Sequence, residues 1–291
     1  MKNTFDLHIH SEFSSDGEYD VAALVKMAVG SDLQTIAITD HNSVKGVGLA
    51  LEAGRQHGIE IVPGIEIDCT FKGIDLHLLG YHIDYHDSRF AQLEAAVFEQ
   101  EIVANRTRVD KLLSYTDLKL DIESFFQRFG NRIITGEMIA EELLATPENQ
   151  KNEYLVPYLP GGSRSDMPFV NFYWDYFSQG QIAHVPVKFI SFREAVDLIK
   201  STGGIPVIAH AAVNLRDRMD AVAELIEEGA EGLEIYNTYH TPGQSSFLRR
   251  LAEQNNLVMT CGSDFHGKTK PNVVLGKYPV EDRAGLALFK P

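Results

Sequence analysis

Short apolar runs and longer amphipathic stretches alternate along most of the chain. Thr4–Ser11, Thr35–Thr39, Ile59–Asp68, Ile74–Tyr81, Ile205–His210, Glu231–Asn237 and Leu257–Asp264 read as core strands. Between them, Val21–Val29, Val44–His57, Phe192–Ser201, Asp217–Glu228 and Gln244–Asn255 read as amphipathic helices. Gly58, Gly203-Gly204 and Gly229 stand where helix C-caps are expected. Alternation of this kind predicts an α/β fold with a mostly parallel sheet, and seven strands suggest a closed or nearly closed barrel. One link differs. Only about five residues, Cys69–Gly73, separate the third and fourth strands, too few for a crossover helix, so an antiparallel hairpin is expected there.

From about Tyr85 to Val185 that rhythm is lost. Arg89 to about Ser114 predicts a long helix with Leu93, Val97, Ile102, Val109 and Leu112-Leu113 as core contacts, and shorter helices follow near Ile122–Phe129 and Thr135–Leu144. A Pro-, Gly- and Ser-rich loop, Pro157–Pro168, then leads into the aromatic run Phe169–Phe177. The expected division is a barrel domain of residues 1–84 and 186–291, with residues 85–185 an inserted helical subdomain. Segments that follow barrel strands lie at the C-terminal face, where active sites sit, so the insertion reads as a cap over that mouth.

The polar residues at strand ends carry the chemistry. On the first strand His8 and His10 point the same way, since side chains alternate sides, and two imidazoles side by side can share a metal ion. Asp16 lies just past the end of that strand, and His41, Glu66, His77, His210, Asp264 and His266 fall on or just beyond later strand ends. A single histidine after an apolar strand is more often a satisfied core or loop residue. Nine potential ligands in one structural position point to a polymetal site. Nine exceed the needs of one tetrahedral ion and suit three ions with one bridging carboxylate. A mixed imidazole and carboxylate set favours Zn²⁺, Mn²⁺ or Fe²⁺ over Ca²⁺ or Mg²⁺. Asp16, Glu66 and Asp264 offset only part of the charge of three divalent ions. The surplus calls for a bound hydroxide and an anionic substrate group, and hydrolysis of a phosphate ester is the leading chemistry.

Composition narrows the partners. The 291 residues carry a formal charge of −15, which argues against tight contact with long nucleic acid. The insertion gives no relief, with nine Lys/Arg against fifteen Asp/Glu between Tyr85 and Val185. No apolar run approaches the roughly 18 residues that span a membrane. The N-terminus leads straight into a strand with no room for a signal sequence, so a cytoplasmic location is expected. Cys69 and Cys261 have no metal-type spacing and read as buried, reduced thiols.

The ordered motifs His-x-His with Ser-x-Asp-Gly, Ile-Thr-Asp-His-Asn, Pro-Gly-Ile-Glu-Ile, Leu-His-Leu-Leu-Gly-Tyr, Ile-Ala-His-Ala and Gly-Ser-Asp-Phe-His resemble the PHP (polymerase and histidinol phosphatase) superfamily of metal-dependent phosphoesterases. The insertion after His77 further resembles the branch of nucleoside-bisphosphate phosphatases and 5′–3′ exoribonucleases. The resemblance implies a distorted (β/α)7 TIM-like barrel and three metals. By position, His8, His10, Glu66 and Asp264 would hold the first ion. Glu66 would bridge to a second ion on His77 and His210. Asp16, His41 and His266 would hold the third.

In that branch, basic residues of the insertion grip the phosphate that is not cleaved, and Arg106 falls where such an arginine is expected. A second stretch that usually carries an Arg reads Gly136-Glu137 here. Arg164 and Lys188 are candidates to compensate; each could equally be a surface cation. His240 could touch substrate or donate a proton, or be an ordinary loop histidine. Asp40 either orients a ligand imidazole or caps the following helix. His57, His82, His86 and His184 read as structural.

The expected function is hydrolysis of a phosphate monoester on a small phosphorylated metabolite, led by a nucleotide or nucleoside 3′,5′-bisphosphate. A hydroxide bridging the first two ions would attack phosphorus, with Glu66 and Asp264 indispensable. The competitors are a 5′–3′ exonuclease on short RNA or DNA, histidinol-phosphate phosphatase, and a catalytically silent metal-binding regulatory module. An amidohydrolase-type deacylase shares the His-x-His opening but commonly bridges its metals with a lysine, where Glu66 and His77 stand here.

Overall fold

The computed structural model describes residues 3–284 and 286. The chain opens with β1 (Phe5–Ile9), α1 (Val21–Gly30), β2 (Thr35–Ile38), α2 (Lys45–His57), β3 (Glu60–Phe71) and β4 (Ile74–Tyr81). Four helices follow: α3 (Ser88–Tyr115), α4 (Ile122–Phe129), α5 (Gly136–Ala145) and α6 (Pro168–Tyr176). The chain then returns through β5 (Ile190–Ser191), α7 (Phe192–Ser201), β6 (Ile205–Ile208), α8 (Ala211–Leu215), α9 (Ala221–Glu227), β7 (Gly232–Asn237), α10 (Pro242–Gln254) and β8 (Val258–Gly262).

Seven strands lie in the order β1-β2-β3-β4-β6-β7-β8, and two-residue β5 adds to β3. Closure comes from the first and last strands. His10 N–H donates to Phe265 O and Asp264 N–H to His8 O, each at 2.9 Å, beside a parallel bridge between Ile9 and Phe265. Strand β4 runs antiparallel to both β3 and β6, while the other ladders are parallel. The barrel is therefore the distorted one expected, and the tight Lys72-Gly73 turn, both residues at positive φ, makes its hairpin.

The helix ends follow local chemistry. The Asp20 carboxylate accepts from Ala23 N–H at the start of α1, and Gly58, at φ 70°, ends α2 in the left-handed region that glycine enters without strain. Capping boxes Ser191/Glu194 and Thr241/Gln244 start α7 and α10. One expected helix is shortened. Of Asp217–Glu228 only Ala221–Glu227 forms α9, because the first residues belong to the 3₁₀ turn Arg216–Arg218, set off from α8 at Arg216, φ 50°. The loop Pro157–Pro168 ends where Pro168 occupies the first turn of α6.

The chain forms two compact units. One runs to Glu94, resumes over Phe189–His266 and again from Val273; the other is Ala95–Lys188 with Gly267–Asn272. The second unit has its own core, in which Val109 and Leu112 of α3 pack with Phe125, Ile139, Leu143, Leu155 and Phe172. Among the described residues no helix is long and apolar enough to cross a membrane, and both cysteines are buried and unpaired.

Candidate metal centre

Every residue of β1 is buried, so its alternation does not separate a wet face from a dry one. It separates Phe5, Leu7 and Ile9 from Asp6, His8 and His10. The His8 and His10 rings stand 5.2 Å apart. Glu66 lies on β3 and His77 on β4, while Asp16, His41, His210, Asp264 and His266 sit on segments that follow β1, β2, β6 and β8. All nine expected donors meet. Their atoms form three groups, each within 4.8 Å: His10, Asp16, His41 and His266; His8, Glu66, His210 and Asp264; and His41, Glu66 and His77.

The backbone is bent to make this possible. Asp264, at φ 59°, lies in the left-handed region, which asparagine and aspartate tolerate best among side-chain-bearing residues. A Cβ on Gly262 would stand 2.4 Å from His8 Cβ and 2.6 Å from His8 N, so only glycine lets the end of β8 approach β1 this closely.

Glu66 is the hub. Its Oε2 lies 3.1 Å from His8 Nε2 and 3.0 Å from His10 Nε2, and its Oε1 lies 3.1 Å from His77 Nδ1 and 3.0 Å from His210 Nε2. Asp264 Oδ1 is 3.3 and 3.2 Å from the same His8 and His10 nitrogens, and Asp16 Oδ2 is 3.2 Å from His266 Nε2. Donors about 2.1 Å from one tetrahedral ion would be separated from each other by about 3.4 Å.

The far side of each ring decides between an ion and a hydrogen bond. His8 Nδ1–H donates to Glu234 Oε1 (3.0 Å), His10 to Ser14 Oγ (2.9 Å), His210 to Asn214 Oδ1 (2.8 Å) and His266 to the Asp264 carbonyl (2.9 Å). A neutral imidazole has one N–H, so all four Nε2 atoms then aim a lone pair at a carboxylate oxygen. Lone pairs so placed repel unless a positive charge lies between them, a proton in the metal-free protein or a metal ion in the loaded one. The donors therefore fit divalent metal, held as metal-binding histidines commonly are, with the second nitrogen fixed by an acceptor.

Charge tells the same story. Burial opposes charge on His8, but Glu66, Glu234 and Asp264 outweigh it and hold its pKa well above the usual histidine value. His41 likewise resists burial and is lifted to about 10 by Glu66 and Asp68. His10 goes the other way, down to about 4, through burial first and then the neighbouring His266 and His41 imidazoles, beside which a further positive charge is disfavoured. Despite burial, Glu66 is held far below the carboxylate range by His8, His41 and His77. The cluster holds more acid than its neutral imidazoles balance, and any cation in it is welcome.

Asp40 proves to be an orienting residue and not a helix cap. Its carboxylate accepts from Ser11 N–H, Ser11 Oγ–H and Ser14 Oγ–H, and Ser14 in turn holds His10. Residue Val44 occupies the start of α2 without side-chain capping. Burial raises the Asp40 carboxyl to about 6.

His240 is buried outside the three donor groups. Its Nδ1–H donates to Ile235 O, its Nε2 has no hydrogen bond, and burial lowers its pKa. The three basic candidates belong to the helical unit. Arg106 pairs with Asp110 at 2.9 Å, and Arg164 grips Asp175 through two nitrogens. Lys188 exchanges backbone hydrogen bonds with the Gln100 amide.

Three acids went unread in the sequence. Glu234 orients His8 and accepts the His210 N–H; Asp6 gathers Ser263 and Gly276; Asp68 lies two residues beyond Glu66. The alternation that singled out His8 and His10 applies equally to Glu66 and Asp68, and to Asp6 and His8.

The PHP domain profile matches residues 6–157, more than half of the chain. A phosphoribosyl 1,2-cyclic phosphate 1,2-diphosphodiesterase of Eggerthella lenta is 26% identical over 265 residues, covering 90% of this chain and 94% of that protein. The 5′-3′ exoribonuclease Rnm of Escherichia coli is 27% identical over 278 residues, covering 94% and 88%. A 3′,5′-nucleoside bisphosphate phosphatase of Chromobacterium violaceum is 26% identical over 269 residues, covering 90% and 86%. A solved structure described as a metal-dependent phosphoesterase, from Bifidobacterium adolescentis, superposes with a TM-score of 0.75 at 26% identity, covering 96% of this chain and 92% of that one.

Proposed function

The chain belongs to the PHP domain family, and on that premise we propose that it is a three-metal phosphohydrolase. Its substrate is a small phosphorylated metabolite, a nucleotide or nucleoside 3′,5′-bisphosphate, of which it hydrolyses one phosphate monoester to the alcohol and inorganic phosphate. The observation that carries the reading is Glu66, whose two oxygens face separate imidazole pairs, His8 with His10 and His77 with His210. One carboxylate so placed can bridge two ions.

His8, His10, Glu66 and Asp264 would hold one ion, Glu66, His77 and His210 a second, and Asp16, His41 and His266 a third. Bound there, divalent ions supply Lewis acidity and lower the pKa of water toward neutrality. The protein's own work is to keep the rings aimed. Glu234, Ser14, Asn214 and the Asp264 carbonyl fix four imidazoles in the tautomer that leaves Nε2 as ligand. His240, buried with an unpaired Nε2, is the candidate to exchange a proton with the leaving group. Arg106, Arg164 and Lys188 are the candidate cations for the substrate's remaining phosphate.

A second reading draws on the relatives. Two are named for phosphodiester substrates, a cyclic phosphate and RNA, so cleavage of short oligonucleotides or a small phosphodiester competes with monoester hydrolysis. The charge of −15 weighs against long chains. A phosphate-release screen with Mn²⁺ over nucleotides, nucleoside bisphosphates, histidinol phosphate and short 5′-phosphorylated oligonucleotides decides. Fastest phosphate release from a bisphosphate is expected. Faster release of nucleotides from the oligomer, or no turnover by metal-loaded protein, overturns the proposal.

A further inference from the structure

Glu66 and Asp68 stand two residues apart on β3, as His8 and His10 do on β1, so the two acids share a face. Asp68 is set directly opposite His77 in the antiparallel β3–β4 ladder. Its two oxygens have different fates. Oδ2 accepts from the Asn42 amide at 2.7 Å, and the Asn42 carbonyl oxygen accepts from Asp68 N–H at 3.0 Å, so one side chain clamps both ends of the residue. Asn42 is itself buried, at φ 55°, with its N–H bonded to Glu66 O at 2.7 Å. Asp68 Oδ1 is buried with no hydrogen bond; it lies 3.2 Å from His41 Nδ1 and 3.4 Å from His77 Nε2. His41 Nδ1 is buried and without a hydrogen bond as well. These are the separations already seen among the nine donors.

We infer that Asp68 is a tenth member of the metal centre, its Oδ1 a ligand of the ion that His41 serves, with Asn42 as the residue that presents it. The inference rests on the three-metal reading above. A tenth donor brings one more negative charge, so the loaded centre carries one positive charge fewer than nine ligands leave it. It also links the His41 end of the site to the His77 end, through a residue that is not Glu66.

The test is metal content, which needs no substrate. Wild-type protein, Asp68→Asn, Asn42→Ala and Glu52→Gln, an exposed control on α2, are purified without chelator, dialysed against limiting Mn²⁺ and assayed for metal per chain. Melting temperatures are taken after chelation. Expected are about one ion fewer per chain, or Mn²⁺ binding weakened 10- to 100-fold, in Asp68→Asn. Asn42→Ala should shift the same way by less, with some loss of stability because Ala stands at φ 55°, the control should match wild type, and the chelated melting temperatures of Asp68→Asn, the control and wild type should agree. An Asp68→Asn protein with wild-type stoichiometry and affinity overturns the inference and leaves the phosphohydrolase reading standing. Wild-type protein that takes up no metal overturns both. Metal loss accompanied by an equal fall in the chelated melting temperature also overturns it, by assigning Asp68 a role in the fold alone.

Discussion

The donor cluster of the barrel unit and three exposed ion pairs of the helical unit treat charge in opposite ways. In the helical unit, Arg106 meets Asp110, Arg128 meets Glu142 and Arg164 meets Asp175, and all six side chains keep a quarter or more of their surface in water. Such pairs settle their own charge and contribute little to stability. In the barrel unit, Glu66, Asp264, His8 and His10 are almost fully buried, and what faces them is more of the same kind. Burial of that sort costs several kcal/mol per charge unless something offsets it. A protein keeps such an arrangement where it has a use for positive charge at that place.

The sharpest break in that contrast is Glu66→Ala or Asp264→Ala. Either should lower phosphate release by about 10³-fold or more while far-ultraviolet circular dichroism stays native. Near-normal turnover would show that the buried acids are structural, and the contrast between the units would lose its meaning.

Proton coupling is the next largest effect. His41, lifted to about 10, is protonated in metal-free protein at pH 7, and His8 is shifted in the same direction, whereas a metal ligand must be neutral. Metal uptake should therefore release protons, and affinity should climb by about tenfold per pH unit for each proton released between pH 6 and 8. Calorimetric titration with Mn²⁺ in buffers of different ionisation enthalpy reads the proton count directly; a count of zero contradicts the prediction.

Glu234→Gln comes third. The amide can still accept from His8, but the charge that favours the ligating tautomer is gone, so metal affinity should fall 10- to 100-fold with the fold intact. An equilibrium-dialysis measurement suffices. Smallest is Arg128→Ala, which removes an exposed pair with Glu142 and should move the melting temperature by less than about 2 °C, leaving metal content unchanged.

Much of the barrel was legible because its strands and helices alternate with few exceptions, and the nine donors because histidine is rare at strand ends without cause. The hairpin at Lys72-Gly73 followed from connection length alone. What stayed hidden is instructive. Glu234 and Asp68 read as ordinary polar positions in apolar strands, since the search began from imidazoles and a carboxylate on its own has many uses. The boundary between units also escaped. It falls after Glu94, inside continuous α3, where no change of composition marks a helix passing from one core to another. Likewise Gly267–Asn272, far along the chain, groups with the helical unit. The break at Arg216 depends on one residue's backbone angle, which nothing in an amphipathic pattern reports.

The seam between β1 and β8 sets the order of events during synthesis. Asp6 and Ser263, joined by hydrogen bonds across it, are 257 positions apart. A ribosome exposes His8 and His10 long before Asp264 and His266 leave the exit tunnel. The nine donors can therefore come together only after Asp264 and His266 have emerged, so the centre proposed above is completed by the late strand and not by the early ones.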